Sequence, residues 1–229
     1  MESGLTAEAR TRPPAGTHPA GGPVGRWPRL RLVAVLAGFV LLAYAATMLV
    51  RGDPLTAGYN AWQQRELERA LGRTGPAVRV GDGRITRAAR VFAAGLEPGD
   101  PVGRIRVPAL GLERVVVYGT GSSELRKGPG HYEETPLPGA GRTTAIAGHR
   151  TTFGAPFRDI DAIRPGAPIV FELPYGTFRY VVFAREIVLE DDWTILRRRP
   201  FETLVLTACH PLYGSSHRWV VYARRTAPS

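Results

Sequence analysis

Residues 99–229 predict an all-β domain, a closed or nearly closed barrel with short helices, placed after a single N-terminal transmembrane helix. Three observations carry this. Seven runs rich in β-branched and aromatic residues lie between residues 102 and 224, most of them short and bounded by glycine, proline or aspartate. None of the intervening stretches has the length and periodicity of a crossover helix, which argues against a parallel βαβ sheet. Residues 32–50, LVAVLAGFVLLAYAATMLV, are uncharged and mostly apolar. They make about 28 Å of helix, against a hydrocarbon core of roughly 30 Å.

The chain opens on a leader, residues 1–31, that is rich in proline and glycine and has too little apolar surface to offset the entropy of ordering. Five arginines against two glutamates give it a net +3, whereas Arg51 and Asp53 cancel just after the apolar run. This asymmetry predicts a cytoplasmic N-terminus and an extracellular bulk. Ala43-Tyr44-Ala45 has the small-x-small form of a signal-peptide cleavage site. The long leader and the continuation of the apolar run through Met48, Leu49 and Val50 favour an uncleaved anchor instead.

Residues 51–98 read as an extracellular stalk with one short amphipathic helix at 59–72, or as a segment folded back on the following domain. The helix would show Tyr59, Trp62, Leu67, Ala70 and Leu71 on its apolar side, with a gap between Trp62 and Leu67. Thr74-Gly75-Pro76 ends it, and Gly81-Asp82-Gly83 breaks the chain again. The predicted strands follow in the domain at 99–229. They lie in VGRIRVPAL (102–110), VVVYG (115–119), TTAIAG (143–148), APIVFEL (167–173), TFRYVVFAREIVLE (177–190), TLVLTA (203–208) and WVVYAR (219–224). Helical turns are expected at 153–160 and 192–197. About 130 residues suffice to bury a barrel core.

The net charge of +10 excludes little. No zinc-finger spacing, recognition helix or aromatic RNA-binding motif accompanies it, so no nucleic-acid partner is expected. A Walker A motif, a dinucleotide fingerprint and a G-x-S-x-G elbow are also missing from the sequence. Cys209, His210 and His217 form C-H-x6-H, which is not a metal-ligand spacing, and there is no second cysteine. The acidic turn Glu190-Asp191-Asp192 lacks EF-hand spacing. No metal and no cofactor are expected.

Cys209 is the only cysteine, so it has no intramolecular disulfide partner. It closes the apolar run LVLTAC, where a side chain can leave the core and meet a cleft as a nucleophile. His149 ends TTAIAGH, also at a strand-to-loop boundary, and is a candidate proton donor. His131, His210 and His217 compete for that role, but on a strand His210 would face away from Cys209. Arg218 starts the final run. The turn HPLYGSSH would make it a neighbour of Cys209 on an adjacent antiparallel strand, where a guanidinium can hold a carbonyl or an oxyanion. Without such convergence the same residues would describe a non-catalytic envelope binding module.

The set AIAGH ending at His149, LTAC ending at Cys209 and Arg218 opening a terminal strand resembles the sortases, membrane-anchored cysteine transpeptidases of Gram-positive bacteria. The supporting phrases LRKGPGHY (125–132) and GHRTTFGAPF (148–157) are most similar to class E enzymes of actinobacteria, with class D next. The resemblance covers roughly residues 99–226 and implies a closed barrel of about eight strands. It also implies that Cys209 attacks the Thr–Gly carbonyl of an LAxTG- or LPxTG-like sorting signal, that His149 protonates the departing amine, and that Arg218 supports the tetrahedral intermediate. A cell-wall amine such as a peptidoglycan precursor stem peptide would resolve the thioester. Water would do so in a hydrolase, and a pilin amine in a polymerase. Phe153, Phe157, Trp193, Leu196 and Ala208 are the candidate substrate contacts. Ala208 departs from the threonine usual before the cysteine, and Val205 stands where another threonine is common.

Overall fold

The computed structural model describes residues 27–51, 53–73 and 82–226. Contacts divide the chain into two units, Met1–Ala43 and Tyr44–Ser229. In the first, the described residues form most of helix α1 (Trp27–Arg51). Its segment Trp27–Met48 is long and apolar enough to cross a membrane, and none of its apolar window is buried. The helix begins five residues before the expected span and takes in Arg29 and Arg31. The expectation of disorder in the leader falls largely on residues outside those described.

The second unit contains two further helices before the barrel. Helix α2 (Pro54–Arg73) starts earlier than expected, for a local reason. Proline suits the first helical position, and the Asp53 carboxylate just before it accepts a 3.0 Å bond from the Leu55 amide. The buried face is only partly the expected one: Leu67 and Leu71 pack on Val115 and Val117. Asn60, Gln64 and Leu67, spaced i, i+4, i+7, are buried, whereas Tyr59 and Trp62 are exposed and pack on each other. The gap in the apolar stripe is filled by polar side chains with partners. Gln64 donates to the carbonyls of Val115 and Lys127 and accepts from the Val115 amide.

Helix α3 (Asp82–Ala93) was not expected, because Gly81-Asp82-Gly83 reads as a break. Its Ile85, Ala88, Ala89, Phe92 and Ala93 recur at helical spacing and pack on the main core.

Eight strands close the barrel: β1 (Pro101–Val107), β2 (Leu112–Tyr118), β3 (Gly130–His131), β4 (Thr143–Ala147), β5 (Pro168–Leu173), β6 (Gly176–Leu189), β7 (Thr203–His210) and β8 (His217–Arg225). Their order is β1-β2-β3-β4-β7-β8-β6-β5, with β5 pairing back onto β1. Alternating side chains fill the interior, among them Ile105, Ile146, Phe171, Phe178, Tyr180, Leu204 and Leu206. The barrel is not wholly antiparallel. β3 is a two-residue strand in the Gly/Pro-rich stretch and runs parallel to β2, after the short helix α4 (Ser122–Lys127). β4 runs parallel to β7.

The helical turn expected at 153–160 is displaced: Phe153, Gly154 and Ala155 all have positive φ (50°, 74° and 41°), and within that stretch i→i+3 bonds start only at the Ala155 carbonyl. A short 3-10 turn follows at Ile160–Ala162. The second expected turn is present at Trp193–Leu196, where the Asp192 side chain caps the Thr194 amide at 2.9 Å.

Candidate active site

Strand alternation places the thiol. On β7, Leu204, Leu206 and Ala208 enter the main core, so Val205, Thr207 and Cys209 face the outside of the barrel. Over most of that outer face Val205 is covered by Ile195 and Leu196. The cover does not reach Cys209, which is half-buried. Arg218 on β8 is the direct ladder partner of Cys209, and His210 pairs with His217 one step beyond.

His149 arrives by a different route. Ala147 of β4 pairs with Thr207, and the Gly148 amide donates to the Thr207 carbonyl at 3.0 Å. Continuing this parallel register brings residue 149 beside residue 209. A cleft of about 280 Å³ results, lined by His149, Arg150, Thr151, Cys209, Tyr213, Gly214 and Ser215. Arg218 borders it: its guanidinium donates to the carbonyls of Ser215 (2.8 Å) and His217 (3.1 Å) and lies 3.6 Å from the Glu190 carboxylate.

The loop carrying His149 is held from the core side. Phe157 is fully buried and its amide donates to the His149 carbonyl at 3.0 Å. Its ring lies so close over Gly148 that a Cβ there would come within 2.5 Å of it. On the open side, the Phe153 ring packs 5.3 Å from the imidazole, and the Arg126 guanidinium lies 5.8 Å from the same ring. Burial, and secondly the Arg126 charge, hold the His149 imidazole below its ordinary pKa.

Three residues near the cleft gave little sequence signal. Arg150 is buried and donates to the Arg158 carbonyl at 3.0 Å, the Asp161 carboxylate at 3.0 Å and the Cys209 carbonyl at 3.5 Å. It ties the backbone of β7 at Cys209 to the loop after His149. The Tyr132 hydroxyl lies 3.0 Å from Thr207 Oγ1, on the face of β7 that also carries Cys209. Arg126 belongs to LRKGPGHY, but only the fold reveals its approach to His149.

The other candidates are dispersed. His131 is buried on β3, stacked on Tyr118. His210 packs against His217 and Trp219. Phe153 packs its ring 5.3 Å from the His149 imidazole. Phe157 and Ala208 are instead core residues with no face toward the cleft, because alternation and the Gly148 contact turn them inward. Trp193 and Leu196 line a separate cleft of about 450 Å³ with Glu134, Thr135, Pro136, Arg142, Thr143, Arg197 and Arg198. Tyr132 bridges the two regions, edge-on to Trp193. No group of three or more metal-ligating side chains occurs among the described residues.

Comparison with known proteins adds an independent line. A family model described as a sortase domain matches residues 105–226. The chain is 28% identical over 199 residues to sortase D of Bacillus subtilis, an alignment covering 85% of this chain and 96% of that one. The structure of sortase E from Streptomyces avermitilis superposes with a TM-score of 0.52 at 31% identity, covering 57% of this chain and 91% of that one. A Clostridium perfringens sortase D5 transpeptidase shares the fold, with a TM-score of 0.61 at 20% identity over 72% of this chain and 99% of that one.

Proposed function

The chain belongs to the sortase family, and from that premise we propose that it is a membrane-anchored cysteine transpeptidase acting on the C-terminal sorting signals of secreted proteins. One observation carries the reading: an antiparallel ladder sets Arg218 opposite Cys209, while a parallel ladder leads His149 into the same cleft.

The Cys209 thiolate attacks the carbonyl carbon of the Thr–Gly bond in an LAxTG- or LPxTG-like signal. Arg218 donates to the developing oxyanion. Collapse of the tetrahedral intermediate breaks the C–N bond, and His149 gives its proton to the departing glycine amine, leaving a thioester on Cys209. A cell-wall amine then attacks the thioester, His149 takes up its proton, and the thiolate is released. No redox partner or cofactor is needed. The imidazolium is required for leaving-group departure, and burial, with the Arg126 charge second, disfavours that form of His149. The apolar part of the signal lies from the Cys209 cleft past Tyr132 toward the cleft of Trp193 and Leu196. Helix α1 holds the enzyme in the bilayer through Trp27–Met48, and the arginine-rich leader keeps the N-terminus cytoplasmic.

The test uses the full chain in detergent micelles, offered LAxTG and LPxTG peptides with and without an amine acceptor. Intact-protein mass spectrometry should find a thioacyl adduct that Cys209→Ala abolishes, and amidated product only when amine is present. Adduct with hydrolysed product alone would point to a hydrolase. A folded protein with no adduct and an unreactive thiol would remove the enzyme reading.

A further inference from the structure

We infer that Thr56 and Asn60, one turn apart on α2, are positioning residues for His149, so that the helix next to the membrane segment holds the proposed acid in place. The inference rests on His149 serving as that acid.

Four contacts join α2 and its N-terminal flank to the two elements that border the imidazole. The Asp53 amide donates to the Thr151 carbonyl at 3.2 Å, two residues after His149. Thr56 Oγ1 accepts from the Phe153 amide at 2.9 Å. Asn60 Nδ2 donates to the carbonyl of Arg126 at 3.0 Å. Asn60 Oδ1 lies so close to Gly154 that a Cβ there would sit 2.9 Å from it, at a φ of +74° that already favours glycine. Phe153 and Arg126 are the residues stacked in sequence over His149. Thr56 therefore fixes the ring that covers the imidazole, and Asn60 fixes the backbone of the cation beyond it.

Asn60 itself is almost fully buried, although it is polar and sits on the docking face of a helix. An apolar side chain there would add packing but would leave the Arg126 carbonyl unpaired and free to move. The pattern suits position-setting better than adhesion. Leu67, two turns further on, supplies adhesion by packing on Val115 and Val117.

The test separates these roles in the full chain in micelles. The protonation of His149 is followed by NMR of carbon-13-labelled histidine, with the resonance assigned by its loss in His149→Gln. The charged and titratable groups facing it are Arg126 on α4, Arg150 beside it, Cys209 on β7 and Arg218 on β8. Asn60→Ala and Thr56→Val should each loosen the Phe153–Arg126 cover. Solvent then reaches the ring and the cation moves off, so the midpoint rises by at least about half a pH unit. Thr56→Ser, which keeps the acceptor, should restore it. Leu67→Ala should lower thermal stability without moving the midpoint. Midpoints unchanged in both Asn60→Ala and Thr56→Val, or an equal shift in Leu67→Ala, would overturn the inference. No peptide is needed for this measurement. A moved midpoint in a protein that cleaves no sorting signal would sink the proposed reaction while leaving the positioning intact.

Discussion

His131 shows what burial does to a titratable side chain without a charge partner. It is 1% exposed, stacks on Tyr118, and has Thr135 Oγ1 at 3.2 Å from Nε2. Desolvation pushes its pKa from 6.5 down to about 4. The folded state thus binds this proton less readily than the unfolded chain. Stability is complete above the unfolded value and falls as pH drops from about 6.5 to about 4, by on the order of 3 kcal/mol. Urea midpoints at pH 7 and 4.5 should separate accordingly, and His131→Gln should shrink the difference. Cys209, His149 and Arg218 were legible in the sequence because each stands where an apolar run meets a polar turn. Arg126 and Tyr132 were not, since their proximity to the cleft depends on contacts between elements distant in sequence, Arg126 on α4 reaching Phe153 and Tyr132 reaching Thr207 of β7. Ala208 was misjudged for a related reason: being next to the nucleophile along a strand means facing away from it.

At the scale of elements, strand periodicity was the readable part. Seven of the eight strands were visible as apolar runs, whereas β3 is only two residues long and consists of Gly130 and His131. The helices before the barrel were half readable. Thr74-Gly75-Pro76 marks the end of α2 in the sequence, but its start at Pro54 was not anticipated, and beside the expected Leu67 its docking face holds Asn60 and Gln64, which no hydrophobic pattern marks. The link between β4 and the cleft depends on a missing side chain, at Gly148. Gly148→Ala would force the Phe157 ring away from the strand, at a cost of about 1–3 kcal/mol. It should also displace His149, whose carbonyl bonds to the Phe157 amide. The expected result is a folded protein with a lowered melting temperature and acylation slowed by more than the stability loss explains. Thermal melts and thioacyl-adduct rates measured together would check it.

Across the whole molecule, the barrel is tied at the end remote from the cleft. Glu202 is buried and accepts bonds from the amides of Gly139 and Gly141, the Tyr180 hydroxyl and the Arg225 guanidinium, joining β6, β8 and the segment before β4. Glu202→Ala would leave these donors unpaired and should cost about 3 kcal/mol in a denaturant titration. Seven residues of strand, about 23 Å, separate it from Cys209. Alkylation of the thiol in the remaining folded protein should therefore be unchanged. A large change in thiol reactivity would show that the two ends of the barrel are coupled.

β8 is the final strand of the described chain, and it is hydrogen-bonded to β7 on one side and β6 on the other. Until it is in place the cylinder has a gap, and Cys209 has no Arg218 across from it. Ribosomal synthesis delivers Cys209 and Arg218 only nine residues apart, after β1 to β6 have been made. A nascent or truncated chain without β8 thus has no guanidinium across from Cys209, and that pairing comes only when the last seam closes.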